Sequence, residues 1–242
     1  MKRLVLLHGW GFSGSIFAEF SAEFDKRACM VQTPDLPGYG NDTGDFPCLL
    51  KDVAAQIATQ IDFESIIVGW SLGGLIAQQI AIDFPQKVEQ LVLIAATPCF
   101  TKTVNWGRAA DSELSHQFYQ KVNENGGAAI KGFYTQLAAM ERHSLKVLHH
   151  IRRLQRGCMA EKETLLRSLK LLHSSDLRSQ MFRLQHKITW IYGADDQLVP
   201  AQNKPVTNNS VIKVIARAGH VPFLTQPDAC MKIIEEVMDA DD

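Results

Sequence analysis

The most informative segment of the sequence is residues 69–73, a G-x-S-x-G pattern with Ser71 at its centre. An apolar stretch of strand character precedes it, and an amphipathic stretch of helical character follows it. A serine at such a sharp strand-to-helix turn presents its hydroxyl above the sheet, at the positive end of the helix. The segment therefore predicts Ser71 as a nucleophile. The alternative is a glycine-rich turn that only joins a strand to a helix.

A serine hydroxyl needs a general base, and the base needs a carboxylate that orients it. In a site of this kind the acid and then the histidine follow the serine, each after a late strand. His220 lies in a glycine-histidine turn after the last predicted strand and is the predicted base. Asp195 and Asp196 both follow the preceding strand. Residue types do not choose between them, because either could cap a helix beginning at Leu198.

The oxyanion formed during acyl transfer needs two backbone N–H donors. One is predicted at Leu72, directly after the nucleophile, and the other at Trp10, in the glycine-rich turn after the first strand. The indole of Trp10 can also form part of a pocket wall. His8, in the same turn, is interpreted as a structural residue.

Short apolar runs alternate with helix-length amphipathic stretches over residues 1–100 and 186–242, which is typical of parallel βαβ units. The predicted strands are residues 4–7, 29–32, 65–69, 88–95, 188–192 and 211–215, and the predicted helices are residues 14–24, 49–61, 72–83 and 228–238. From about residue 111 to 173 apolar residues recur at helical spacing with no strand between them. We therefore expect an α/β core interrupted by a helical insertion, residues 101–185, that forms a lid.

Composition excludes several classes of protein. A net charge of −1 argues against a generic nucleic-acid or anionic-membrane binder. The five cysteines are scattered singly, as a reducing compartment tolerates, and neither a signal peptide nor a membrane span is recognised. No His/Cys/Asp set has metal-ligand spacing, and no phosphate-binding loop is present. The expectation is a cytoplasmic monomer without metal or cofactor.

Charge is distributed unevenly along the chain. The helical insertion has 14 basic and 7 acidic residues, a balance of +7, which leaves −8 for the rest. A helix over about residues 140–156 would place five basic side chains on one stripe: Arg142, Lys146, His149, Arg153 and Arg156. The stripe is either an ordinary solvated face or a surface that steers an acidic partner towards the site.

Five motifs together resemble the α/β-hydrolase superfamily, over nearly the whole chain. They are L-V-L-L-H-G-W-G at residues 4–11, D-L-P-G-Y-G at 35–40, G-W-S-L-G-G at 69–74, T-P-C-F at 97–100 and D-Q-L-V-P at 196–200. More narrowly, they are similar to the carboxylesterases that hydrolyse the methyl ester of pimeloyl-acyl-carrier protein in biotin synthesis. Because the chain begins with the strand that is third in the full hydrolase fold, the resemblance leads us to expect that the usual first N-terminal hairpin is absent or much reduced.

The resemblance implies a role for each matching residue. Ser71 would be the nucleophile, Asp196 the orienting acid and His220 the base, with Trp10 and Leu72 at the oxyanion. Phe133 matches an aromatic residue that lines the acyl channel of the family. Acyl-carrier protein would be the partner, bound by basic lid residues. The patch predicted here, which does not match the family's basic residues one for one, is Arg142, Lys146, Arg153 and Arg156.

Two rival functions remain open at this point. One keeps the three catalytic residues and changes the substrate, giving a broad short-chain esterase, a lyase or a carbon-carbon bond hydrolase, because one fold hosts many chemistries. The other is a signalling module whose pocket binds a small molecule and whose lid binds a protein.

Overall fold

The computed structural model describes residues 2–27, 29–103, 106, 112–201 and 209–240. Six strands of this part of the chain form one sheet in the order β2-β1-β3-β4-β5-β6, and every neighbouring pair is parallel. The strands are β1 (Arg3–Leu7), β2 (Met30–Gln32), β3 (Ser65–Trp70), β4 (Val88–Ile94), β5 (Ile188–Gly193) and β6 (Ser210–Ile215). The predicted α/β fold with a mostly parallel sheet is confirmed.

Helices flank the sheet and connect its strands. They are α1 (Ala18–Asp25), α2 (Leu50–Thr59), α3 (Leu72–Asp83), α4 (Ser112–Glu124), α5 (Gly126–Ala139), α6 (Ser144–Leu154), α7 (Lys162–Ser174), α8 (Pro222–Thr225) and α9 (Pro227–Asp239). Short 3₁₀ helices cover Gly14–Phe17, Pro85–Lys87 and Arg178–Arg183. The predicted helix over 14–24 is thus a 3₁₀ turn that leads into α1.

Helix α3, which directly follows Ser71, is buried along almost its whole length. All its residues from 72 to 82 are buried, the polar Gln78 and Gln79 as well as the apolar ones. A helix of this character must be covered all round, here by the sheet and by α2. The nucleophile is therefore attached directly to a buried helix.

Helices α4 to α7 lie between β4 and β5 in the chain, where the helical insertion was predicted. Helix α4 packs against α5 and α7, and α5 packs against α6. The insertion's boundaries at residues 101 and 185 stay a prediction, and its expected first helical residue, Asp111, lies outside the described residues. The predicted helix over 140–156 is wrong in extent, because α6 covers only Ser144–Leu154.

The strand order reverses direction between β1 and β3. The chain passes from β1 to β2 on one side and then returns to β3, β4, β5 and β6 on the other. In parallel α/β sheets the crevice at such a switch point, at the carboxyl ends of the strands, binds ligands. The turn after β1 and the turn after β3 both lie there, and the turns after β5 and β6 lie along the same edge.

Candidate active site

Ser71 adopts a strained backbone conformation at the turn between β3 and α3. Its φ of 53° and ψ of −116° are uncommon for a residue with a side chain. The turn fits only because Gly73 lacks a side chain: a Cβ there would collide with the carbonyl oxygen of Leu7. The amide of Ser71 donates to the carbonyl of Ile94 at 3.0 Å, which fixes the turn to β4.

The structure brings Ser71, His220 and Asp196 into one hydrogen-bonded line. His220 Nε2 lies 3.1 Å from Ser71 Oγ, and His220 Nδ1 lies 2.8 Å from Asp196 Oδ2. The three residues are buried, with 8%, 2% and 5% exposure for Ser71, His220 and Asp196. Because the carboxylate can only accept, the imidazole proton belongs on Nδ1, and Nε2 is left to accept the serine proton.

Asp196 both orients His220 and accepts the backbone amides that follow it, the two roles that the sequence could not assign between Asp195 and Asp196. Its Oδ2 faces His220, while its Oδ1 accepts the backbone amides of Leu198 and Val199 at 2.8 and 3.0 Å. Asp195, in contrast, is exposed. The helix expected from Leu198 is wrong, since residues 197–199 form a bend instead.

Trp70 supports the histidine in a way that sequence reasoning missed. Its indole Nε1 donates to the backbone carbonyl of His220 at 2.8 Å, across 150 positions of the chain. The indole is fully buried and packs its ring edge on Phe223. A tryptophan directly before the nucleophile is the only signal in the sequence that could have indicated this contact.

The two predicted oxyanion donors flank the serine. Leu72 is the first residue of α3, and Trp10 lies in the turn after β1, against the same cavity as Ser71. Within the described residues, neither backbone amide donates to a protein acceptor. Both N–H groups are therefore free of protein acceptors, which an oxyanion site requires of its donors.

A cavity of about 570 Å³ opens above Ser71 and His220. One wall is aromatic: the ring centroid of Trp10 lies 5.3 Å from those of both Phe118 and Phe133. The remaining lining is Phe100, Leu114, Ser115, Gln117, Lys121, Gln136, Leu169, Leu172, His173, Gln197, Leu198 and Val199. Phe133, for which the resemblance implied a place in an acyl channel, lines this cavity. Phe118 and Leu169 line it too and were not predicted, because helical spacing does not show which face meets the cavity.

Trp10 ties the cavity wall to the helical insertion. Its indole Nε1 donates to the carbonyl of Leu165 on α7 at 3.0 Å, and the next turn residue, Gly11, accepts from the Tyr134 hydroxyl at 2.7 Å. The side chain of Trp10 is therefore a fixed wall of the cavity.

A model of the alpha/beta hydrolase family matches residues 4–233. The chain belongs to the α/β-hydrolase family. One curated relative is the pimeloyl-[acyl-carrier protein] methyl ester esterase of Pectobacterium atrosepticum, 32% identical over 235 residues that cover 93% of this chain and 90% of the relative.

Two solved structures place this α/β hydrolase among proteins of the same fold. The esterase of Exiguobacterium antarcticum superposes with a TM-score of 0.88 at 20% identity, covering 98% of this chain and 91% of its own. A bromoperoxidase of Bacillus anthracis superposes with a TM-score of 0.85 at 19% identity, covering 100% and 92%. With the family and the esterase relative, the predicted class of enzyme, a carboxylic ester hydrolase, is confirmed.

The predicted basic stripe does not lie on the cavity of this α/β hydrolase. None of the described residues that line the cavity belongs to α6, and Arg142 and Arg156 lie outside that helix altogether. Arg153 pairs with Glu19 on α1, which lowers the pKa of that carboxyl. Among the described residues that line the cavity, Lys121 on α4 is the only lysine or arginine.

His8 stabilises the turn that carries Trp10. Its Nδ1 lies 2.9 Å from the carbonyl oxygen of Gly9, and its Nε2 accepts the amide of Leu36 at 3.0 Å. Both contacts fit a neutral imidazole with the proton on Nδ1. Burial lowers the pKa of His8 from 6.5 to about 4.

We expect acid to destabilise the protein partly through His8. The unfolded histidine binds a proton below pH 6.5 and the folded one only below about pH 4, so stability is present above pH 6.5 and is lost as the pH falls towards 4. Between pH 7 and 4.5 the loss from this group is roughly 2 to 3 kcal/mol. Urea unfolding of wild type and His8→Asn at both pH values measures it. An equal loss in both proteins would contradict the prediction.

Among the described residues, no group of three or more His, Cys, Asp or Glu side chains is arranged to hold a metal ion. The same part of the chain contains no helix that is both long and apolar enough to span a bilayer.

Proposed function

We propose that this α/β hydrolase removes the methyl group from the methyl ester of pimeloyl-acyl-carrier protein, giving methanol and the free carboxylate. The observation that carries the proposal is His220 Nε2 at 3.1 Å from Ser71 Oγ, at the base of a largely apolar cavity. The relative from Pectobacterium atrosepticum, named for this activity, supports the choice of substrate.

The reaction would begin with attack of Ser71 Oγ on the ester carbonyl, while His220 Nε2 takes the serine proton. Asp196 holds the imidazole and stabilises the imidazolium. The tetrahedral oxyanion would accept from the amides of Trp10 and Leu72. His220 then returns the proton to the leaving methoxide, and methanol departs. A water molecule, activated by His220, releases the chain as a carboxylate.

The cavity suggests how the substrate would lie. The aromatic wall of Trp10, Phe118 and Phe133 would contact the methylene chain, whose burial is favourable. Gln117 and Gln136, which also line the cavity, would lie nearer the carrier end, because both side chains belong to exposed residues. The helices over the cavity would then act as the lid.

Identification of the bond that is broken tests the proposed substrate. Methyl pimeloyl-acyl-carrier protein is incubated with the wild type, and the carrier is analysed by intact-mass spectrometry. We expect the methyl group to be lost while the thioester to the carrier is retained. Release of the whole acyl chain from the carrier would contradict the proposal, and so would an unchanged substrate beside rapid cleavage of p-nitrophenyl butyrate.

The carrier is acidic in the family, so a basic contact at the cavity mouth is expected. We propose Lys121 for this contact, because it is a basic residue of the cavity lining that pairs with no carboxylate among the described residues. Lys121→Glu should raise KM for the carrier-linked ester by about 5-fold, which corresponds to roughly 1 kcal/mol. KM for p-nitrophenyl butyrate should stay unchanged.

The basic patch predicted from the sequence serves as the surface to compare with Lys121. It consists of Arg142, Lys146, Arg153 and Arg156. The double variant Arg142→Glu with Arg156→Glu has charge changes outside the cavity, at two exposed residues. If this double variant raises KM for the carrier-linked ester and Lys121→Glu does not, the carrier docks beside α6 and the assignment to Lys121 is wrong.

A further inference from the structure

The turn between α5 and α6 contains a buried carboxylate that the reaction scheme does not use. Glu141 is 5% exposed, although it lies only two residues after the end of α5. Its Oε1 accepts the backbone amide of Val221 at 3.2 Å. Val221 directly follows His220, so a side chain of the helical insertion holds the segment that carries the general base.

The same turn contacts both loops that carry the catalytic partners of Ser71, the loop of His220 and the loop of Asp196. A Cβ added to Gly219 would lie 2.7 Å from Met140 Cβ and 2.8 Å from Glu141 Oε1. On the other side, the amide of Gln197, next to Asp196, lies 3.4 Å from Met140 Sδ. The absence of a side chain at Gly219 is what permits this approach.

The environment of Glu141 is costly for a carboxyl group. Its Oε2 is buried and has no hydrogen-bond partner among the described residues, and no ion pair to Glu141 is found there. An apolar side chain of similar volume would avoid the unpaired Oε2 but would leave the buried Val221 amide without an acceptor. Packing alone therefore does not explain a glutamate here, whereas acceptance of the Val221 amide does.

The backbone of His220 is consequently held from two sides. Trp70 donates to its carbonyl, and Glu141 accepts the amide of the next residue. We propose that Glu141 is a positioning residue: it holds the His220 segment so that Nε2 stays within hydrogen-bonding distance of Ser71. This inference rests on the proposed serine mechanism and does not depend on which ester is the natural substrate.

Two substitutions at Glu141 test the proposal with p-nitrophenyl butyrate. Glu141→Leu removes the acceptor and leaves the buried Val221 amide without a partner, so the thermal midpoint should fall modestly while kcat falls about 10-fold with KM within 2-fold. Glu141→Gln keeps an oxygen acceptor for the Val221 amide and should restore most of kcat. Glu124→Ala, an exposed glutamate at the end of α4, is the control and should behave as wild type.

The rate of covalent modification of Ser71 by a fluorophosphonate gives a second readout, since it requires the same serine activation without turnover. It should fall in Glu141→Leu in parallel with kcat and recover in Glu141→Gln. A folded Glu141→Leu protein with wild-type kcat and labelling rate would overturn the proposal, and so would Glu141→Gln as slow as Glu141→Leu. A wild type that neither cleaves the ester nor becomes labelled would instead contradict the serine mechanism itself.

Discussion

Ser71→Ala is expected to lower kcat for every ester substrate by at least about 10⁴-fold. The serine oxygen forms the bond to the acyl group, and alanine offers no atom that could replace it. What remains is the slow reaction of water assisted by the oxyanion amides and by binding. The measurement is steady-state hydrolysis of p-nitrophenyl butyrate, with covalent labelling by a fluorophosphonate in parallel.

The control for this variant is its fold, which should be unchanged because the serine side chain is small and has only His220 as a side-chain partner among the described residues. Circular dichroism and the thermal midpoint should match those of wild type. Residual turnover of a few per cent in a preparation free of contaminating esterases would contradict Ser71 as the nucleophile, as would labelling of the alanine variant.

Asp196→Asn is expected to lower kcat by about 10⁴-fold at pH 7, the size of the effect seen when the triad carboxylate of a serine protease becomes an amide. An amide can donate to Nδ1, which moves the imidazole proton to Nε2 and leaves Ser71 without a base. The amide oxygen can still accept from Leu198 and Val199, so the loop should keep its conformation.

Asp195→Asn is the matched control, since it makes the same chemical change at the adjacent position. Asp195 is exposed, and its substitution should change kcat by less than about 2-fold. The measurement is the ratio of kcat for Asp195→Asn to kcat for Asp196→Asn, taken at several pH values. Equal losses in both variants, or a larger loss in Asp195→Asn, would contradict the assignment of Asp196 as the orienting acid.

Local pattern was sufficient to predict the elements that present Ser71. The strand before it and α3 after it are both apolar and sharply bounded, and α3 begins and ends at the predicted residues, Leu72–Asp83. The choice between Asp195 and Asp196 was not accessible from residue types. It depends on which side chain reaches His220, and that contact joins two loops that only the folded sheet brings together.

Contacts between segments that are distant in the chain could not be predicted from the sequence either. The bond from Trp70 to His220 joins residues 150 positions apart, and that from Val221 to Glu141 joins residues 80 apart. Helix α6 begins later than its periodicity indicates, at Ser144, and the preceding Met140 and Glu141 contact the two catalytic loops. Helical spacing identified a basic face correctly as exposed, but gave no information on its distance from the cavity.

We propose that Ser71-dependent hydrolysis is selective for a carrier-linked methyl ester. The most direct test is the ratio of kcat/KM for methyl pimeloyl-acyl-carrier protein to kcat/KM for p-nitrophenyl butyrate, measured with wild type and with Ser71→Ala. We predict a ratio well above one for wild type and no detectable turnover of either substrate by the variant. A ratio below one would contradict the carrier-linked substrate, and turnover by the variant would contradict the mechanism.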